Sequence, residues 1–162
     1  MVGAKLPQPA SAEVRLEELG IKLSAAPTPF GNYVEVAQAG NLLFLTGMLP
    51  VVDHKPKYLG RLGRELDTEA GQDAARTAAL SALATIKEYL GSLDRVVKIV
   101  RIGVFMATRG VLVDQPKVAD GASDLFASVF GTRGIAPRLV IGVASLPLEV
   151  PIELEVIVEF AD

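Results

Sequence analysis

The chain has 162 residues, a net charge of -3 and no cysteine; half of it is hydrophobic while only 6% is aromatic. That length suits one domain, 1–162, burying on the order of 70% of the surface its unfolded chain exposes. The absence of cysteine excludes disulfides and thiol chemistry, the single histidine, His54, excludes His/Cys metal clusters and a histidine-based triad, and the mild acidity argues against a protein built to hold nucleic acid.

No run reaches the ~18 apolar residues of a membrane span. The stretch from Met1 to Gly20 carries Pro7, Pro9, Glu13, Arg15, Glu17 and Glu18 rather than an apolar secretion core, so the expectation is a soluble cytoplasmic protein. A mean hydropathy of +0.38 is more apolar than a monomer of this size needs for its own core. Burial against another subunit is the expected use of the excess.

In chain order, residues 1–29 read as an N-terminal extension in which Ser11 to Leu19 predicts a short helix stopped by Gly20. Ala26 to Gly31 is a proline- and glycine-rich loop. Tyr33 to Ala39 and Leu42 to Thr46 predict two antiparallel strands joined at Gly40-Asn41, a glycine-first hairpin signal. Gly47 to Leu66 mixes glycine, proline and charge and predicts a long loop, a feature often kept for function.

Asp67 or Thr68 caps a helix running to Leu90 with a stripe of Ala75, Ala79, Ala82, Leu83, Ile86 and Leu90, and Gly91 stops it. Arg95 to Met106 is a β-branched strand. Asp114 and Pro116 open a second helix that buries Val118, Ala122, Leu125, Phe126 and Val129 and ends at Gly131.

The last quarter holds the most informative residues. Arg138 opens a strand through Leu146 that is apolar at odd and even positions alike, as in a strand covered on both faces. After a Pro147 turn, Pro151 to Phe160 alternates, with Ile152, Leu154, Val156, Val158 and Phe160 on one face and Glu153, Glu155 and Glu159 on the other. The order predicts an α/β (α+β) sandwich, two helices packed on one face of a mixed sheet, with the other face left for sheet-on-sheet packing between subunits.

A guanidinium at the edge of a dry strand needs a planar anion, either a protein carboxylate or a substrate carboxylate, and the structural ion pair is the commoner outcome. Three glutamates on one face are more often a solvated edge than a general base. If the last two strands paired as a tight hairpin, Glu159 would oppose Arg138 and Glu153 would fall near Ala144. Arg138 and Glu153 therefore meet only if those strands are not simple neighbours or if a second subunit supplies one of them. Tyr33 reads by default as a half-buried anchor, Thr46-Gly47 as a turn, and His54 as a solvated loop residue. Lys55, Lys57, Arg61 and Arg64 form a basic cluster that serves solubility or attracts an anion.

Taken together, Gly31-Asn-Tyr33, Gly40-Asn-Leu-Leu-Phe-Leu-Thr-Gly47 and the run from Arg138 through Leu146-Pro147 to Ile152-Glu-Leu-Glu155 resemble the RidA/YjgF family, also called L-PSP. Gly60-Arg-Leu-Gly-Arg-Glu-Leu66 is similar to a less characterised branch of it. The resemblance implies a chorismate-mutase-like fold, a homotrimer with clefts between subunits, and hydrolysis of 2-imino or enamino acids to 2-keto acids and ammonia. By the same resemblance Arg138 stands where the family binds the substrate carboxylate and Glu153 where it positions water, while Tyr33 and Thr46 match pocket-lining positions. Gly47 is added on physical grounds, its main chain being placed to steady a developing carbinolamine. No metal or organic cofactor is required, since an imine is already electrophilic. Two departures stand out: Ala136-Pro137-Arg138 replaces the family's Pro-Ala-Arg, and Val140 occupies a common cysteine position. Two rival functions accompany this one, a carboxylate-binding trimer without turnover and a ribonuclease or translation inhibitor.

Overall fold

A computed structural model describes residues 11–161; the prolines Pro7 and Pro9 and the rest of the first ten residues lie outside it. The elements run α1 (Ala12–Glu18), β1 (Val36–Ala39), β2 (Leu42–Leu45), β3 (Val51–Val52), β4 (Lys55–Pro56), α2 (Thr68–Leu90), β5 (Val96–Ala107), α3 (Gln115–Phe130), β6 (Arg138–Val143) and β7 (Ile152–Phe160). The main sheet has the order β1-β2-β7-β5-β6, with β5 and β6 parallel and the remaining pairs antiparallel. Helices α2 and α3 cover one face.

That face is set by side-chain alternation. Ile152, Leu154, Val156 and Val158 of β7 and Ile102, Val104 and Met106 of β5 are buried beneath the helices. Across them lies α2, capped by the Asp67 carboxylate on the Ala70 N–H and ended by a left-handed Gly91. Its alanines, with Gly71 and with Gly121 of α3, permit close packing: a Cβ on Gly121 would lie 2.0 Å from the Gln72 carbonyl oxygen.

The opposite face stays open. Phe44, Leu139 and Ile141 present it at 40%, 39% and 38% exposure.

Two expectations are corrected, and the pairing of the last two strands, left open by the sequence, is decided. The final two strands are not a hairpin: β5 lies between β6 and β7, because the parallel β5-β6 pairing leaves the antiparallel neighbour of β5 to β7. The Gly47 to Leu66 segment is not a plain loop. It contains the β3-β4 hairpin, turned by Asp53 and His54 at φ 51° and 59°, and it is stitched to the sheet by hydrogen bonds from Leu62 N–H to Ala107 O and from Arg109 N–H to Leu62 O, each 2.9–3.0 Å. Lastly, β1 begins at Val36 rather than Tyr33, since the Tyr33 hydroxyl accepts the Phe30 N–H at 2.9 Å and bends the chain there.

The N-terminal helix forms as expected. Ser11 caps it, and the Asp94 carboxylate accepts from the Ser11 hydroxyl and the Ala12 and Glu13 amides, fastening α1 to the turn before β5.

Candidate functional site

Arg138 opens β6 beside Ile102, whose other neighbour is Val156, so its side chain points to the helix-covered face. There Nη1 donates to the Asp120 carboxylate at 2.8 Å and to the Ser123 hydroxyl at 3.0 Å, and Nη2 donates to the Pro116 carbonyl at 3.2 Å, all three partners on α3. A guanidinium has five N–H donors. These contacts use three, leaving Nε–H and one Nη2–H without a partner among the described residues.

Glu153 lies elsewhere. It pairs with Phe105, whose other neighbour is Ile141, and therefore projects from the open face. Its carboxylate rests on Gly47: a Cβ built there would sit 1.8 Å from Glu153 Oε1, so only glycine leaves room for it. Among the described residues nothing hydrogen-bonds this carboxylate. Burial without a compensating partner raises its pKa above the ordinary 4.5.

Thr46 precedes that glycine, its N–H bound to the Glu35 carbonyl at 2.9 Å, which extends the β1-β2 pairing and fixes the chain under Glu153. Thr46, Gly47 and Glu153 are thus brought together. Tyr33 is 46% exposed with its ring folded back against Gly31, and no contact joins it to Glu153. Arg138 and Glu153 are not brought together within one chain: one intervening strand and three residue steps place their backbones on the order of 14 Å apart, on opposite faces.

Asp120, Ser123 and Pro116 as partners of Arg138 escape a reading of the strand, because they sit on a helix 15 to 22 residues earlier. Asp120 lies off the expected buried stripe of that helix, and its one signal is a loose match in position to an asparagine of the resembled family. Val140 follows Arg138 on the helix-facing side and packs against the core. His54 is exposed in its turn, with Nδ1 accepting the Thr28 N–H at 3.4 Å. Among the described residues no group of three or more His, Asp or Glu side chains is arranged to hold a metal ion, and no helix is long and apolar enough to cross a membrane.

The architecture and the glycine-backed carboxylate define an α/β sandwich with an open sheet face and two separated polar centres. The family described as "YjgF/chorismate_mutase-like, putative endoribonuclease" matches residues 13–161, and the chain belongs to that family. Protein TCP17 of Trypanosoma cruzi is 41% identical over 89% of this chain and 91% of its own. The solved structure of Atu1372 from Agrobacterium tumefaciens, a protein of unknown function, superposes with a TM-score of 0.83 at 36% identity, covering 93% of this chain and 92% of that one. A protein of Dermatophagoides farinae named 2-iminobutanoate/2-iminopropanoate deaminase is 27% identical over 85% of this chain and 93% of its own.

Proposed function

We propose that the protein hydrolyses reactive 2-imino or enamino acids to 2-keto acids and ammonia, in a site that a second copy completes. The observation that carries this is the Glu153 carboxylate, half-buried, without a hydrogen-bond partner among the described residues, and held above a glycine that exists to make room for it. The relative named as a deaminase supplies the reaction class.

In this reading the free edge of Arg138 grips the substrate carboxylate, which fixes the imine carbon and turns a bimolecular hydration into an oriented one. Glu153 takes a proton from the water that adds to that carbon. Glu153 passes that proton to the nitrogen, completing the neutral carbinolamine; it then takes the hydroxyl proton as the carbonyl forms and delivers it to the departing nitrogen, so that the C–N bond breaks and ammonia leaves. Backbone at Gly47 borders the developing charge, and Tyr33 and Thr46 line the approach. Because Arg138 and Glu153 face opposite sides of one sheet, the pair is assembled by the homotrimer, each cleft taking Arg138 from one chain and Glu153 from the next. A cytoplasmic location and the single domain over 1–162 belong to the same proposal.

A second reading, carboxylate binding without turnover, is favoured by one observation: Asp120 already neutralises Arg138. Decay of 2-iminobutanoate, generated in place by an amino-acid oxidase and trapped with semicarbazide, separates the two. The hydrolase reading expects acceleration by wild type that Arg138→Ala abolishes; no acceleration by folded, assembled protein selects the binder.

A further inference from the structure

A second site lies at the carboxyl ends of the parallel strands β5 and β6, where a cleft of about 440 Å³ opens between the 59–65 segment and the turn leading to β7. Ligands in open α/β sheets sit beyond the carboxyl ends of strands. The volume falls within the ~300–1,000 Å³ of small-molecule pockets. None of the residues placed in the proposed hydrolytic site lines this cleft.

Both of its cations rise from one pinned turn. Glu65 accepts the Arg61 N–H at 2.9 Å through one oxygen and pairs with Arg64 Nε at 2.8 Å through the other. Gly60 is obligatory beneath it, at φ +108° with Glu65 Cβ only 2.6 Å from where its own Cβ would be. Arg64 keeps its terminal nitrogens, and the Arg61 guanidinium, drawn towards Glu65 by charge, makes no hydrogen bond or close ion pair among the described residues. The opposite wall is a turn in which Leu148 and Glu149 both hold left-handed backbone, φ 55° and 58°, tied to the first by Gly60 N–H on the Glu149 carbonyl at 2.9 Å. Such conformations cost about 1–3 kcal/mol each and concentrate where a ligand is held.

We infer that this cleft binds a nucleoside monophosphate. Among the lining residues, Arg61 and Arg64 on one side match a phosphate dianion, Glu149 and Ser145 bring residue types suited to a ribose diol, and Leu59, Leu146 and Val150 give apolar residues for a base. One molecule of that class draws on the arginines, the polar residues and the apolar residues together, while Glu65 stays bound in its own turn. A free inorganic phosphate would leave the apolar wall idle, and a nucleoside would leave Arg61 unpaired.

Isothermal titration of the full chain with AMP, adenosine and inorganic phosphate tests this. The expected result is saturable AMP binding that weakens steeply with added salt, at least tenfold weaker binding of adenosine and of phosphate, and a tenfold or greater loss for AMP in Arg61→Ala. Arg61 is exposed, so that variant keeps its fold, and an unchanged melting temperature verifies it; Glu149→Gln is expected to lose several-fold through the ribose alone. Absence of AMP binding, adenosine or phosphate binding as tight as AMP, or AMP binding untouched by Arg61→Ala would each overturn the assignment. Imine hydrolysis is measured separately, so either reading can fail alone.

Discussion

Glu153 sits in a position that costs stability. Its carboxyl is held above the ordinary glutamate value by burial, so its charged form is disfavoured in the fold. A raised carboxyl contributes stability that is complete below the unfolded pKa and is lost as pH rises through the folded one. Glu153→Gln is therefore expected to raise the melting temperature at pH 7 while lowering imine hydrolysis by about 10²–10⁴-fold, the usual share of a general base. A thermal melt and a rate on the same preparation check both. Under the proposed mechanism the wild-type kcat/KM is expected to fall on the acid side as Glu153 gains its proton, with that limb above pH 4.5. Gly47→Ala tests the seat beneath it: its Cβ meets the flexible end of Glu153, so the fold survives while the carboxylate is displaced, and activity drops toward that of Glu153→Gln. At this scale the strands that carry Arg138 and Glu153 were legible from their patterning, and the protein carboxylate expected for a guanidinium at a dry edge is there as Asp120; the roles given to Arg138 and Glu153 came from the family resemblance, that of Gly47 from the chemistry it implies, and all three stay with the proposal. The helix partners of Arg138 were not legible, because no pattern along a strand reports which helix side chain will meet it.

Among the elements, the contact between α2 and α3 rests on glycine rather than on large side chains. Gly121→Ala places a methyl 2.0 Å from a backbone oxygen of α2, which cannot swing away as a side chain does. We expect a loss of about 2–3 kcal/mol or more in urea denaturation, the upper range for overpacking. The tie between α1 and the body rests on Asp94. Burial pushes that carboxyl up, but the hydrogen bonds from Ser11, Glu13 and Ala12 overcome it and leave it below the ordinary value. A depressed carboxyl gives stability that is present above the unfolded pKa and disappears as pH falls through the folded one. Wild type should thus lose more stability than Asp94→Ala on acidification, and at pH 7 the substitution should cost about 1–2 kcal/mol, the size of a lost helix cap. Helix ends, both long helices and the β1-β2 hairpin were readable because caps, glycine stops and periodicity are local. The order of the last strands was not. Whether β6 and β7 pair or flank β5 depends on a contact more than 30 residues away, as between Ile102 and Arg138, which a turn signal at Pro147 cannot reveal.

For the whole molecule the decisive fact is the distribution of Arg138 and Glu153 over two faces of one sheet. In the proposed mechanism a single chain is half a site twice over. The open face that displays Phe44, Leu139 and Ile141 is the surface through which copies would join; the apolar excess in the composition anticipated that face without showing which residues form it. Ile141→Glu is expected to shift the protein from trimer to monomer in sedimentation and to remove hydrolysis with it, although Ile141 touches no substrate in the proposed mechanism. The most direct test mixes two inactive proteins. Arg138→Ala and Glu153→Gln are unfolded together, refolded and assayed for imine hydrolysis. Mixed trimers contain clefts that draw intact Arg138 from one chain and intact Glu153 from another, so the mixture should recover a sizeable fraction of wild-type activity while each variant refolded alone recovers none. Mixed trimers that form, as mass spectrometry would show, and yet remain inactive would contradict the account.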